Sequence, residues 1–581
     1  MTQLKYILPI YILLGSLLLG ACAHAPVNQE IADQSEQSDP HEALQAETPV
    51  LPHVELSSEL LYEFLLSEIA AQRGNDAVAV EGSSDLATKT HDPRLAMRAA
   101  QLALQFNQVD KATEALRVWR DTDPSSLMAK RMLSSVLIRS GKLDEAREEL
   151  VKLLKADEAH SAQNFIQIDQ MLAGYPDKAA ALKLLRELAQ PYPRVAEAHW
   201  GIAQLAQAAG DTELALSEVR QARHLRPEWD MAASLEALLL QKNAPQQGLD
   251  VLHSHLSHYP KAREIRLQYA RALLDQKQYK PAREEFQHMA DEDPDNPEMA
   301  YAIALISLQM NDLKSAEKEL KVALSKGKKD QDTVQYYLGQ LSEAKKNPDE
   351  ALAFYREVKG GEYWVVAQIR IAYLLSQRGQ FSEARQLLQH AQGTDNQQRV
   401  QLVMAEAQLL RDANQFDEAY QVLNKALEKL PNHTDLLYDT AMMADKVGKQ
   451  DVFEQLMRRL IKLKPDHAQA YNALGYGLLE RNERIPEAMK LVEKALQLAP
   501  DDASIMDSVG WGYYRSGKLD ESVKMLRRAY TSNANPEIAA HLGEVLWMRG
   551  DKAEAKKIWQ DSLKENAGNE ELQAVIKKFN P

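Results

Sequence analysis

A single cysteine, Cys22, stands in 581 residues, so no intrachain disulfide can staple this chain. Aromatic residues make up only 6% of it, and basic residues are outnumbered: 69 Lys and Arg face 84 Asp and Glu, for a formal charge of −15. An acidic chain lacks the basic surface that phosphate backbones require, which argues against nucleic acid as a partner. It argues equally against attachment of the folded body to anionic lipid. The sequence holds no Gly-x-x-x-x-Gly-Lys-[Ser/Thr] loop, no His-Glu-x-x-His and no Gly-x-Ser-x-Gly. Catalysis therefore has little to stand on, and neither an enzyme activity nor a cofactor is expected.

What is present begins with the opening, MTQLKYILPIYILLGSLLLGAC. Lys5 and the amino terminus supply positive charge, Ile7 to Leu19 is an apolar run, and small residues close it before Cys22. This reads as a secretory signal over residues 1–21. The run is short for a stable membrane span, which needs about 20 apolar residues. Its ending, Leu19-Gly20-Ala21-Cys22, resembles the bacterial lipobox. That resemblance implies that Cys22 becomes the lipidated mature amino terminus, where two or more acyl chains anchor a protein stably. Ala23 follows Cys22. In enteric bacteria an Asp there retains a lipoprotein in the inner membrane, so its absence implies the periplasmic face of the outer membrane. Residues 22–55 then read as a disordered tether: Pro26, Pro40, Pro49 and Pro52 are scattered among acidic residues, with no aromatic to build a core. A loose coil of that length spans roughly 30 Å on average.

From residue 56 to residue 569 the chain steps in near-equal units of about 34 residues. One small residue marks each step, as at Ala304, Gly339, Ala372, Ala407, Ala441, Gly475, Gly510 and Gly543. Within a unit, Gly475 sits on a first helix, Asn482-Glu483-Arg484 is a polar turn, and Ala488, Val492 and Ala495 share one face of a second helix that Pro500 ends. The layout recurs at Ala419, Leu423, Ala426 and Pro431, at Ala282, Phe286, Met289 and Pro294, and at Ala112, Leu116, Trp119 and Pro124. Small residue, small residue twelve later, apolar residue four on, then proline: this pattern resembles the tetratricopeptide repeat. The resemblance implies an all-α fold, a superhelical solenoid of about 14–15 units. Three places depart from the pattern. Asp169 and Glu236 stand where a small residue is expected on a first helix, and Phe453 where one is expected on a second, so wider or irregular interfaces are expected there. Residues 570–581, with Leu572, Val575, Ile576 and Phe579, read as an amphipathic helix that caps the open end.

In tetratricopeptide domains the first helices line a concave groove, through the places three before, one after and four after the small residue. Those places here hold Trp200, Tyr301, Tyr336, Tyr373, Tyr438, Met442, Tyr476, Trp511, Tyr514 and Trp547, a high share of a chain poor in aromatics. Aromatics dominate binding hot spots, so these ten are the candidate protein-binding residues, with packing between adjacent first helices as the competing role. The places that form a Lys/Asn carboxylate clamp in some chaperone adaptors hold Asn472, Tyr476, Asp507 and Trp511, which disfavours binding of chaperone tails. His253, His255 and His258 lie on one helix. A metal there is not expected, because His255 reads as a packing residue and the other two as solvated.

Two stretches go beyond the generic repeat. One is Leu61 to Asn75 with His91 to Leu104; the other is Asn472 to Tyr530, which includes Asp507-Ser508-Val509-Gly510-Trp511. With the lipobox, they resemble the proteobacterial outer-membrane tetratricopeptide lipoproteins, whose described member is the adaptor of a periplasmic carboxyl-terminal processing protease. The resemblance implies a scaffold that binds such a protease and presents cell-wall hydrolases to it. The alternative is an assembly factor or pilotin-like scaffold for envelope machinery: secretion, pilus or polysaccharide export.

Overall fold

The computed structural model describes residues 51–579; the signal segment, Cys22 and the tether as far as residue 50 lie outside the described residues. Among the described residues there are thirty-one α-helices and no strand, arranged as fifteen successive helix hairpins and one final helix. They fall into two compact units, Met1–Lys326 and Gly327–Pro581. The first unit carries the hairpins from Ser58–Gln72 to Leu313–Ser325, and the second those from Gln331–Ala344 onward.

The repeat step has a local cause at each turn. Most first helices end on a residue in the left-handed region, which frees the chain to reverse. Glycine takes that place at Gly141, Gly379, Gly448 and Gly517, and asparagine at Asn107, Asn311, Asn414 and Asn482. Side-chain caps start many helices, for example Asp502 Oδ1 accepting from the backbone N–H of Ser504 at 2.9 Å and of Ile505 at 3.2 Å.

Small residues on the first helix are needed because the second helix drives a large side chain against them. A Cβ added at Gly475 would lie 2.7 Å from Val492 Cγ1, and one at Gly510 would lie 2.6 Å from Leu526 Cγ. At Gly543 it would run into the Trp559 indole. Alanine takes the same place in other units, as at Ala270 and Ala441, both fully buried.

The three departures from the pattern do not open the interfaces: Asp169, Glu236 and Phe453 are all buried, and at Asp169 and Phe453 a glycine on a neighbouring helix lies against the intruder. Asp169 packs against Gly201, where a Cβ would approach Asp169 Cβ to 3.3 Å. Glu236 is followed twelve residues later by Gly248, which lies against the Ala237 carbonyl. Phe453 is received by Gly477, where a Cβ would lie 3.1 Å from Phe453 Cε1. The polar intruders differ in how they are satisfied. Glu236 is buried but takes Arg220 at 2.9 Å and also Arg223. Asp169 is buried with only a long contact from Gln204 Nε2, 3.5 Å, and burial raises its pKa from 3.8 to about 7.

The two termini of the repeat array are finished differently. In the second unit the helix Glu570–Phe579 closes the stack: Leu572 is fully buried, and the Phe579 ring lies 5.9 Å from Trp559 and 6.0 Å from Trp547. In the first unit the helix Ser58–Gln72 packs with its small side, Ser67 and Ala70, the former against Gly82. Its large residues Leu61, Tyr62, Phe64, Leu65, Leu66 and Ile69 are all exposed.

Candidate functional site

The repeat register places all ten groove candidates on first helices, and the structure divides them by burial. Tyr301, Tyr336 and Trp511 are buried, whereas Trp200, Tyr373, Tyr438, Met442, Tyr476, Tyr514 and Trp547 are half-buried. Most also have intramolecular partners. Trp200 packs on Trp229 at 5.3 Å, and Tyr438 stacks on His467 at 5.5 Å. Tyr336 stacks on Tyr363 at 4.5 Å and accepts a hydrogen bond from Gln340, 2.8 Å; burial pushes its hydroxyl up to about 12. Tyr373 accepts from Gln377 at 2.6 Å and lies under the Arg370 guanidinium. Trp547 shares the closing cluster with Trp559 and Phe579. The stripe therefore knits adjacent first helices together while leaving ring edges at the surface.

The candidates come together most tightly on the last three hairpins, around a residue that register alone does not single out. His541, on Pro536–Arg549, stacks on Trp511 with ring centroids 4.2 Å apart, and its Nδ1 lies 2.8 Å from Asp507 Oδ2. Its ring centroid is 6.2 Å from that of Tyr476. The Tyr476 hydroxyl donates to Glu537 Oε1 at 3.3 Å, linking hairpins that are not sequence neighbours. Burial works against charge on His541, but Asp507, Glu537 and Glu480 outweigh it, so its pKa is raised. Tyr514 donates to Glu544 at 3.2 Å, and burial together with that carboxylate pushes it up to about 12. His541 and Glu537 escaped the sequence reading because they sit outside the three groove places counted from Gly543.

The histidines on Pro245–His258 do not converge. His255 is buried and meets Asp230 Oδ1 at 2.6 Å through its Nε2, while His253 and His258 are exposed. Among the described residues no helix is long and apolar enough to cross a membrane.

A second surface, which the sequence reading did not name as a site, is the apolar side of Ser58–Gln72. Leu56, 76% exposed, continues it upstream. On Ser58–Gln72 the exposed Leu61, Tyr62, Phe64, Leu65, Leu66 and Ile69 lie on the side away from the buried Ser67 and Ala70, while Glu63 and Glu68 pair with Lys89 and Arg98. Clusters of exposed large apolar side chains of this kind mark interaction sites.

The Tetratricopeptide repeat profile matches residues 239–306 and, in a second form, 301–363, 453–503 and 510–571. A TPR repeat-containing protein of Pseudomonas aeruginosa is 30% identical over 531 residues, 91% of this chain and 89% of the relative's length. The cellulose synthase operon protein C of Pseudomonas fluorescens is 23% identical over 493 residues, 75% of this chain but 34% of the relative. Among solved structures, MamA of Desulfovibrio magneticus covers 31% of this chain and 99% of its own, at 19% identity and a TM-score of 0.26. With hairpins of this geometry and a relative alike over nearly its whole length, the chain belongs to the tetratricopeptide-repeat proteins.

Proposed function

We propose that this chain is a lipid-anchored scaffold on the periplasmic face of the outer membrane. In this reading it is an adaptor that binds a carboxyl-terminal processing protease and presents cell-wall hydrolases to it. The observation that carries the reading is the inverted packing of Ser58–Gln72, which buries Ser67 and Ala70 and shows Leu61, Tyr62, Leu65, Leu66 and Ile69 to solvent. Such a face gains about 25 cal/mol for each Å² of apolar surface that a partner covers. It lies close in sequence to Cys22, the lipid-attachment residue that the lipobox-like ending supplies. Holding protease and substrate on one membrane raises their effective concentration without any new contact. No catalytic role belongs to this reading: the chain positions other proteins.

The test is direct. The full-length chain, immobilised, is offered the purified carboxyl-terminal processing protease of the same organism and, separately, cell-wall hydrolases. Capture of both is expected; capture of neither would refute the adaptor role.

The assembly-factor reading keeps one observation in its favour, the similarity to a protein named for a cellulose synthase operon. Deletion separates the two. Accumulated wall hydrolases are expected for the adaptor, and lost surface polymer or pili for the assembly factor.

A further inference from the structure

Exposed large apolar side chains are not spread evenly over this chain. Of the fifteen among the described residues, nine lie between Leu51 and Ile69. Tyr62, Leu65, Leu66 and Ile69 are each between 42% and 65% exposed. They follow steps of three and four, so they form one stripe along Ser58–Gln72. The stripe faces away from Ser67 and Glu63, which meet Gly82 and Lys89 of the next helix. Among the described residues no helix precedes this one to cover it.

The charges around the stripe decide what fits it. Glu63 and Glu68 are held by Lys89 at 2.6 Å and Arg98 at 2.7 Å. Two charges remain. Glu59 in the first turn and Arg73 at the carboxyl-terminal cap are exposed and make no ion pair among the described residues. Lys89 feels the Glu59 charge, but its hydrogen bond goes to Glu63. Glu59 and Arg73 stand about 21 Å apart along the helix axis, with Leu66 midway. At about 100° per residue, both fall on the flank of the stripe that Leu66 occupies.

A stripe that is negative at one end, positive at the other and apolar between is complementary to its own reverse. Laid antiparallel about a twofold axis at Leu66, a second copy brings its Arg73 to Glu59 and its Ile69 beside Tyr62. The two Leu65 side chains then pack together near the axis. A parallel pair would instead set Glu59 against Glu59 and Arg73 against Arg73. Glu68 lies on the other flank, already neutralised by Arg98.

We propose that Ser58–Gln72 of the free chain pairs antiparallel with the same helix of a second copy, forming a symmetric dimer. A twofold interface requires one patch to be complementary to itself, as this one is. The protease of the proposed function would take the same face, so the two occupants exclude each other. The dimer is then the resting form, and partner binding opens it. Because the dimer needs no protease, this inference and the adaptor reading can each fail alone.

Sedimentation velocity of the full-length chain, over about 1 to 100 μM, reads the association; a reversible dimer with Kd on the order of 10 μM is expected. L65E/I69E should be monomeric throughout. E59R alone and R73E alone should each weaken the dimer at least about threefold, and E59R/R73E together should restore it to within about twofold. L66C should form an interchain disulfide on oxidation, because the two copies of that residue meet on the axis. Q72C, about 18 Å from its counterpart, should cross-link no more than the wild type, whose only thiol is Cys22. A chain still monomeric at the highest concentration would overturn the proposal, even with protease capture intact. So would a dimer that L65E/I69E leaves unchanged, a double reversal that restores nothing, or equal cross-linking of Q72C and L66C.

Discussion

The first and last helices of the repeat array answer one physical problem in opposite ways. A stacked repeat leaves an unsatisfied apolar face at each terminus, and solubility requires that it be covered. At the carboxyl-terminal side Glu570–Phe579 covers it, burying Leu572 and laying Phe579 on Trp547 and Trp559. At the amino-terminal side Ser58–Gln72 turns its small residues inward and its large ones outward. One terminal helix thus buries its large apolar side chains against the stack, and the other leaves its own at the surface. The difference lies in which face meets the neighbouring helix.

The largest effect is expected where the closed side is broken. Trp559→Ala removes a fully buried indole seated on Gly543 and should cost about 3–5 kcal/mol, read by denaturant unfolding of the second unit. A loss under 1 kcal/mol would mean that the closing cluster is not a core.

A smaller effect separates Asp169 from well-paired Glu236. Burial raises Asp169 to about 7, so the folded chain holds that proton more tightly than the unfolded one. Its favourable contribution is complete below about pH 4 and is lost as the pH rises from there towards 7. D169N should remove this dependence and stabilise the first unit by on the order of 2 kcal/mol at pH 8. Identical melting of both chains at pH 5 and pH 8 would show that Asp169 is satisfied at neutral pH.

Next comes the compensating glycine. Gly477→Ala brings a methyl against Phe453 and should cost about 1–3 kcal/mol, and less in an F453L background, measured as a double-mutant cycle. Additive costs would sever the link between the two residues. The smallest effect on stability is expected at the open face. Leu65→Glu with Ile69→Glu should change unfolding free energy by no more than about 0.5 kcal/mol, because both positions are already exposed.

The fold was legible because the repeat step combines two periods, one within helices and one between hairpins, and both show in single residues such as Gly475, Ala488 and Pro500. Asp169, Glu236 and Phe453 stood out as departures, but their accommodation did not. Gly201 and Gly477, which lie against Asp169 and Phe453, stand outside the small-residue places of the repeat, where one sequence gives no reason to connect them with the intruder. The groove candidates were legible as positions and not as surfaces. The places that carry Tyr301, Tyr336 and Trp511 also receive neighbouring side chains, and only packing decides which rings stay accessible. His541 was missed because register counting ignores contacts that reach across from the next hairpin. The exposed helix was missed for the opposite reason: an apolar stretch reads as core until the structure shows which side is buried.

Binding of the purified carboxyl-terminal processing protease by the full-length chain and by its L65E/I69E variant, compared at equal helicity by circular dichroism, tests the central claim most directly. The wild-type chain should hold the protease, and the variant should lose at least about tenfold in affinity while melting at the same temperature. Equal binding by the two chains, or none by either, would contradict the assignment of Ser58–Gln72 as the docking face of an adaptor.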